Sequence, residues 1–464
     1  MPSLHPLLPA ALLLLARIAF VAADPVVAVR NGSYAGLHLP QFGQDLFLGM
    51  PYAQDAGGAN RFRVPQALTE TWNGTRPATN YSHACPDADP ADDAVYGMSE
   101  NCLSVNVVRP AGLGAEAKMP VLVWIHGGSY QQGTSGLPNY NLTYIVQRSV
   151  EIAWYNGSSW YQPIYDKIVD QVNCSAAIDT LACLRTVPYD TLYPFLNSSI
   201  VGGPGFYPTV DGDIMPAYPT ELLHTGRFAH VPHLYGTNTD EGTDNAPADG
   251  TINTDADLRH YLLHRTGFNF PPATVDRLLE LYPDDPAAGI PANTGAERFA
   301  DLGWQYKRVA AIVGDAFYHA PRLDDARHYA AGTTATYVYR FNTRAFVNAT
   351  TANSTDYVGT LAPASKGVSH FTEVAFVMGN PAFTGPWPEY RALSAVMGAQ
   401  WVRFAHAGDP NGEGLPAWPR YGDGADGSNL VLQTEAQGGA YVEADTYRLA
   451  GREFLTEWAR RRHV

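Results

Sequence analysis

Three short segments of this chain carry residue types that acyl-transfer chemistry uses. The first is Pro120-Val121-Leu122-Val123-Trp124-Ile125-His126-Gly127-Gly128-Ser129, an apolar run ending in a glycine turn. The others are Asp240-Glu241-Gly242 and Gly367-Val368-Ser369-His370, an acid and a base in that order. Glycine lets backbone approach a reacting centre closely. Backbone N–H groups of Gly128 and Ser129 are therefore candidate oxyanion donors, a role worth about 3–4 kcal/mol in a transition state. His370 is a candidate general base, and Asp240-Glu241 offers a carboxylate that could orient it. Each is weak by itself: a loop carboxylate is ordinarily solvated, and a lone histidine ordinarily lies on a surface or in a core. The same chemistry needs a nucleophile, here expected as Gly-x-Ser-x-Gly on a strand-to-helix turn. No such pentapeptide occurs in the 464 residues. Ser135 follows no strand and its glycines are misspaced, Ser158 lies in a glycosylation sequon, and Ser129 sits on the donor loop itself.

The elements around these segments are those of an α/β protein. Val121 to Ile125 reads as a continuous apolar strand, the pattern of a sheet covered on both faces. Leu103-Ser104-Val105-Asn106-Val107-Val108 alternates as a half-buried strand. Val26 to Val29, Leu46 to Gly49 and Thr336 to Phe341 are further strands. Helices are predicted over Asn139 to Val150, Ala256 to His264, Val275 to Leu281 and Phe299 to Tyr318. Strands and helices in alternation imply a sheet with helical layers. The pattern breaks near Glu151. A buried parallel strand needs a crossover helix and then another apolar run, yet none occurs between Ile125 and Cys174.

Composition sets the outer limits. The chain is 45% hydrophobic and 12% aromatic, enough for a large core in one domain. A formal charge of -15 argues against a nucleic-acid partner. Residues 1–23 read as a signal peptide: Leu7 to Ala16 is apolar, and Val21-Ala22-Ala23 suits cleavage before Asp24. Arg17 leaves that stretch too short to span a membrane. Four cysteines, Cys85, Cys102, Cys174 and Cys183, allow three pairings. Local pairing has the simplest topology and would stabilise the fold by roughly 3 kcal/mol per loop. Sequons at Asn31, Asn73, Asn80, Asn141, Asn156, Asn173, Asn197, Asn348 and Asn353 point with the leader to a secreted glycoprotein. The acidic run from Asp87 to Asp93 lacks the Gly and Glu of a calcium loop and reads as solvated.

Taken together, the segments resemble the type-B carboxylesterase/lipase family, which includes cholinesterases and fungal extracellular lipases on the α/β-hydrolase fold. The resemblance rests on Phe47-Leu48-Gly49-Met50-Pro51-Tyr52-Ala53, Arg61 to Pro65, Ser99-Glu100-Asn101-Cys102-Leu103-Ser104-Val105-Asn106-Val107 and Trp124 to Gly128. It continues through Gly236 to Gly242, His370 with Glu373 to Gly379, and Trp401 to Asn411 with Trp418-Pro419. It implies a single domain over 24–464, both local disulfides, Glu241 as acid, His370 as base, Gly128 and Ser129 as oxyanion donors, and no cofactor or metal. It implies an ester substrate, small-molecule or lipid, and leaves the oligomeric state open. The short Cys85–Cys102 loop leans towards an esterase rather than a lipase with a lid.

One departure bears on all of this. The family's serine signature is absent together with the strands and helices around it, about three βα units of ~30 residues each. Those units form the centre of the sheet, and the junction falls between Glu151 and Trp154. Three readings follow: a hydrolase whose sequence has lost a segment, a non-catalytic binding or adhesion protein, and a chain that folds poorly.

Overall fold

The computed structural model describes residues 24–87, 96–114, 116–119, 121–143, 156–198, 208–265, 268, 270–332, 334–348, 359–423 and 427–462. The leader, most of the acidic run, the sequon at Asn353, most of the helix expected over Asn139 to Val150 and the junction at 151–154 lie outside these residues.

The strands are β1 (Val26–Val29), β2 (Gly32–Ala35), β3 (Leu37–Leu39), β4 (Gln44–Pro51), β5 (Thr75–Pro77), β6 (Ser104–Pro110), β7 (Asn156–Gly157) and β8 (Thr209–Val210). They continue as β9 (His233–Asn238), β10 (Thr336–Phe341), β11 (Phe346–Asn348), β12 (Gly359–Leu361), β13 (Ser428–Leu432) and β14 (Tyr441–Ala444). The main sheet has the order β14-β13-β10-β9, with β9, β10 and β13 parallel and β14 antiparallel at one edge. A second, antiparallel sheet has the order β3-β4-β6. Among the described residues no strand joins the two.

The main sheet is well covered. Val338, Phe341, Leu430, Val431 and Leu432 are fully buried. The helix Pro388–Ala407 packs over Thr372–Met378, and the helix Ala320–Ala331 lies against β9 and β10. A second core forms among the helices Asp255–His264, Pro272–Leu281 and Tyr306–Gly314. The first of these begins at Thr254, whose hydroxyl accepts from Asp257 N–H while the Asp257 carboxylate accepts from Thr254 N–H, satisfying two otherwise orphaned donors. The long helix expected over Phe299 to Tyr318 is divided: a short turn at Ala300–Leu302, a helix from Tyr306 to Gly314, then a widened turn at Asp315–His319 leading into Ala320–Ala331. Pro321 has no N–H to continue the ladder, so the turn before it opens.

Two expectations about strands are corrected. Val121 to Ile125 pairs with no described residue, and Val121, Val123 and Ile125 are 86%, 66% and 70% exposed. No strand among the described residues lies beside this apolar run. In β6 the alternation is present but its sense is reversed. Val105 and Val107 face solvent, while Asn106 points inward, accepting from Gly49 N–H (2.8 Å) and donating to Ser135 Oγ (2.9 Å). The first has a direct cause. A run patterned for a doubly covered sheet needs neighbours on its edges and a layer over its faces, and the chain offers no apolar strand between Ile125 and Cys174 to supply them.

Both local disulfides are present, Cys85–Cys102 and Cys174–Cys183. No helix among the described residues is long and apolar enough to cross a membrane.

Candidate active site

The acid arises where β9 ends. Beyond Asn238 the chain turns tightly, with Thr239 N–H donating to Phe341 O (3.0 Å) and Asp240 N–H to Val368 O (3.0 Å). The turn is pressed against a helix. A Cβ at Gly242 would lie 2.0 Å from Ala310 O, so only glycine fits there. This places Glu241, which is 4% exposed, with both carboxylate oxygens engaged. Oε1 accepts from Asn238 N–H at 2.7 Å, and Oε2 lies 2.7 Å from His370 Nδ1.

The base comes from the loop before the helix Thr372–Met378. Asp240 ties this loop to the acid turn. Its Oδ2 accepts from Val368 N–H (2.8 Å) and its Oδ1 from Ala292 N–H (2.7 Å). Burial pushes its carboxyl up to about 6, against those two backbone bonds. Gly367, at φ +57°, leaves room for that carboxylate, which a Cβ would meet at 2.2 Å. His370 is one-third exposed and its ring lies on Tyr318, with centroids 4.6 Å apart. The next residue, Phe371, holds φ +71°, an uncommon left-handed conformation for an aromatic residue.

Behind the pair stands a third carboxyl, that of half-buried Glu373. Asn238 Nδ2 donates to Glu373 Oε2 (2.6 Å) and to Ser369 O (2.8 Å). Burial, and then the neighbouring Glu241 charge, raise Glu373 to about 7. Sequence reasoning noted Asn238 and Glu373 only as parts of motifs and gave Asp240 no role. Their spacing from Glu241 and His370 held no clue to the network, which depends on the turn geometry.

The glycine loop is a tight turn. Gly128 has φ +122°, and a Cβ there would strike Gln132 O at 1.9 Å. Ser129 and Tyr130 follow at φ +55° and +60°. Gln131 and Gln132 donate their N–H groups to Gly128 O. The N–H groups of Gly128 and Ser129 themselves bond to no described residue. The loop is held to the base by one aromatic residue. Buried Tyr140 packs on Trp124 (5.1 Å) and His126 (6.3 Å) on one side and on Phe371 (5.8 Å) on the other, while Asn380 Nδ2 donates to Pro138 O. A pocket of about 200 Å³ opens beside His370, lined by Asn139, Ser369, Phe371, Phe346 and Phe383 among others. Ser135, the serine nearest in sequence to an elbow, has its hydroxyl taken by Asn106.

A buried carboxylate bonded to an imidazole, a pocket beside that imidazole and a glycine turn whose N–H groups bond to no described residue are what acyl-transfer chemistry could use as acid, base and donors. A model of the carboxylesterase family matches this chain over residues 23–156 and 149–449. The chain belongs to the carboxylesterase family and shares its α/β-hydrolase fold. It is similar to Lipase 4 of Diutina rugosa, 25% identical across 96% of this chain and 98% of that protein. Secreted lipase 1 of Botryotinia fuckeliana (strain B05.10) is 26% identical across 93% and 92%, and Carboxylesterase 3 of Homo sapiens 23% across 94% and 90%. The alignment with Lipase 4 runs over 578 positions against a chain of 464 residues, so many positions of that relative have no counterpart here. The two segments of the family match meet at 149–156.

Proposed function

We propose that this chain is an extracellular carboxylic ester hydrolase from which an internal block has been lost at 151–154, and that in its present form it does not turn over esters. Glu241 orients His370 as general base, and the N–H groups of Gly128 and Ser129 face the developing oxyanion. The nucleophile belonged to the lost block. The observation that carries this reading is the 2.7 Å Glu241–His370 bond in a sequence without a Gly-x-Ser-x-Gly elbow. Support comes from the family match in two parts meeting at 149–156, from the excess length of the relatives and from the uncovered Val121–Ile125 run.

A carboxylate and an imidazole without a serine can hold a proton but cannot form an acyl intermediate. The small pocket favours a short acyl group. Secretion is part of the proposal, resting on the leader, the two disulfides and the sequons. Asn73, Asn80, Asn173 and Asn197 are exposed, whereas the Asn31 amide is committed to Leu68 O and Glu70 O. The non-catalytic reading is disfavoured by the same apolar run, because an exposed unpaired strand invites edge-to-edge pairing.

Sequencing the messenger across codons 145–160 tests the loss. The expected result is a transcript that inserts a strand, an elbow with its serine and further βα units between Val150 and Ala153. A mature messenger running directly from Val150 through Glu151 and Ile152 to Ala153 overturns the reading that the expressed hydrolase carries this block.

A further inference from the structure

Away from the Glu241–His370 pair, one carboxylate is shared by two imidazoles. His224 ends the short helix Pro219–His224, and Asp324 and His328 stand one turn apart on the helix Ala320–Ala331. His224 Nε2 lies 3.0 Å from Asp324 Oδ2. His328 Nδ1 lies 2.8 Å from the Asp324 carbonyl and 3.4 Å from its Oδ1. The two rings meet edge to face at 4.3 Å. One donor atom from each of the three residues falls within 4.8 Å of the other two.

We propose that His224, Asp324 and His328 form a binding site for a divalent transition cation, Zn²⁺ in the first instance. Ligands of a tetrahedral zinc ion sit about 2.0–2.1 Å from the metal and so roughly 3.3 Å from one another. The 3.0 Å nitrogen–oxygen separation is already at that spacing, and a modest rotation of the third side chain completes the set. The bond of His328 Nδ1–H to a backbone carbonyl fixes its tautomer and leaves Nε2 with its lone pair, the way ligating histidines are commonly oriented. Two imidazoles and one carboxylate suit zinc and its neighbours, whereas calcium and magnesium take oxygen ligands. The side chains of His224 and His328 are 23% and 28% exposed, so an ion can enter and water can complete its coordination. Bound there, the metal would tie the end of the short helix to the long helix that backs the main sheet. Nothing in this site depends on the proposed ester chemistry.

The test uses the full-length chain, stripped with EDTA, dialysed and titrated with Zn²⁺ by calorimetry at neutral pH. Saturable binding of one Zn²⁺ per chain is expected, at least about tenfold weaker after His224→Gln or His328→Gln. His264→Gln and His370→Gln should leave it unchanged. The first control matters because His260 and His264 form another close ring pair, 4.3 Å apart. No stoichiometric binding, or binding that survives His224→Gln and His328→Gln, overturns the proposal. Should those variants not fold, Co²⁺ added to the unaltered chain decides. The strong visible absorption of a tetrahedral site supports the proposal, and the weak absorption of octahedral Co²⁺ overturns it.

Discussion

At the scale of residues, the site is a network of carboxyls rather than a pair. Glu241 has one oxygen on backbone and one on His370, Asp240 fastens the acid turn to the base loop, and Glu373 stands behind both. A carboxyl whose pKa rises on folding is best held when protonated. It therefore weakens the fold as pH climbs from its unfolded value through its folded one. Glu373 at about 7 and Asp240 at about 6 both act this way. Buried His319, lowered to about 3, and His233, lowered to about 4, act in the opposite sense, costing stability as pH falls below the usual histidine range. Glu373→Gln isolates one of these contributions. Relative to the unaltered chain, the variant should gain stability between about pH 5 and about pH 8, on the order of 1–3 kcal/mol. Thermal unfolding of both proteins at the two pH values checks this, and a difference that does not vary with pH contradicts it. Glu241 and His370, singled out from their motifs, lie together in the fold. Asp240 and Glu373 were not legible, because their partners Ala292, Val368 and Asn238 come together only through the fold.

At the scale of elements, hydrophobic pattern was a good guide wherever the structure supplied a partner. β10 runs over Thr336–Phe341, where the sequence reading places a strand, and the helices Asp255–His264 and Pro272–Leu281 begin within a few residues of where periodicity puts them. The pattern misled at Val121–Ile125 and in β6, where burial was expected and exposure is found. Pattern records the surroundings a segment was selected for, whereas burial requires those surroundings to be present. The contrast can be measured. Val123→Lys, on the bare face, should cost less than about 0.5 kcal/mol. Phe341→Ala, in the covered sheet, should cost about 3–5 kcal/mol. Denaturant unfolding of the two variants distinguishes the cases, and a loss of several kcal/mol from Val123→Lys would mean that this run is covered after all.

At the scale of the whole molecule, two sheets that the family's fold would join stand apart among the described residues, with the glycine loop between them in sequence. The acid and base nonetheless meet, because β9, β10 and the helix Thr372–Met378 form one packed unit downstream of the break. The glycine loop meets that unit through Tyr140 and Asn380, and Trp124, Leu137 and Leu142 beside it pack on the same core. On the proposed reading, the lost block took the nucleophile with it and left Glu241 and His370 in contact. The family was legible in the sequence from motifs on both sides of residue 151. The consequence for the sheet was not, since it depends on which strands lie beside Val121–Ile125. The central claim is a site complete except for its serine. Its most direct test is to treat the purified chain with a serine-directed phosphonate and measure intact mass, alongside hydrolysis of p-nitrophenyl acetate. The account predicts no adduct and no turnover beyond that of the His370→Ala variant. A stoichiometric phosphonyl adduct that His370→Ala abolishes would contradict it, because it would place a working nucleophile in this chain.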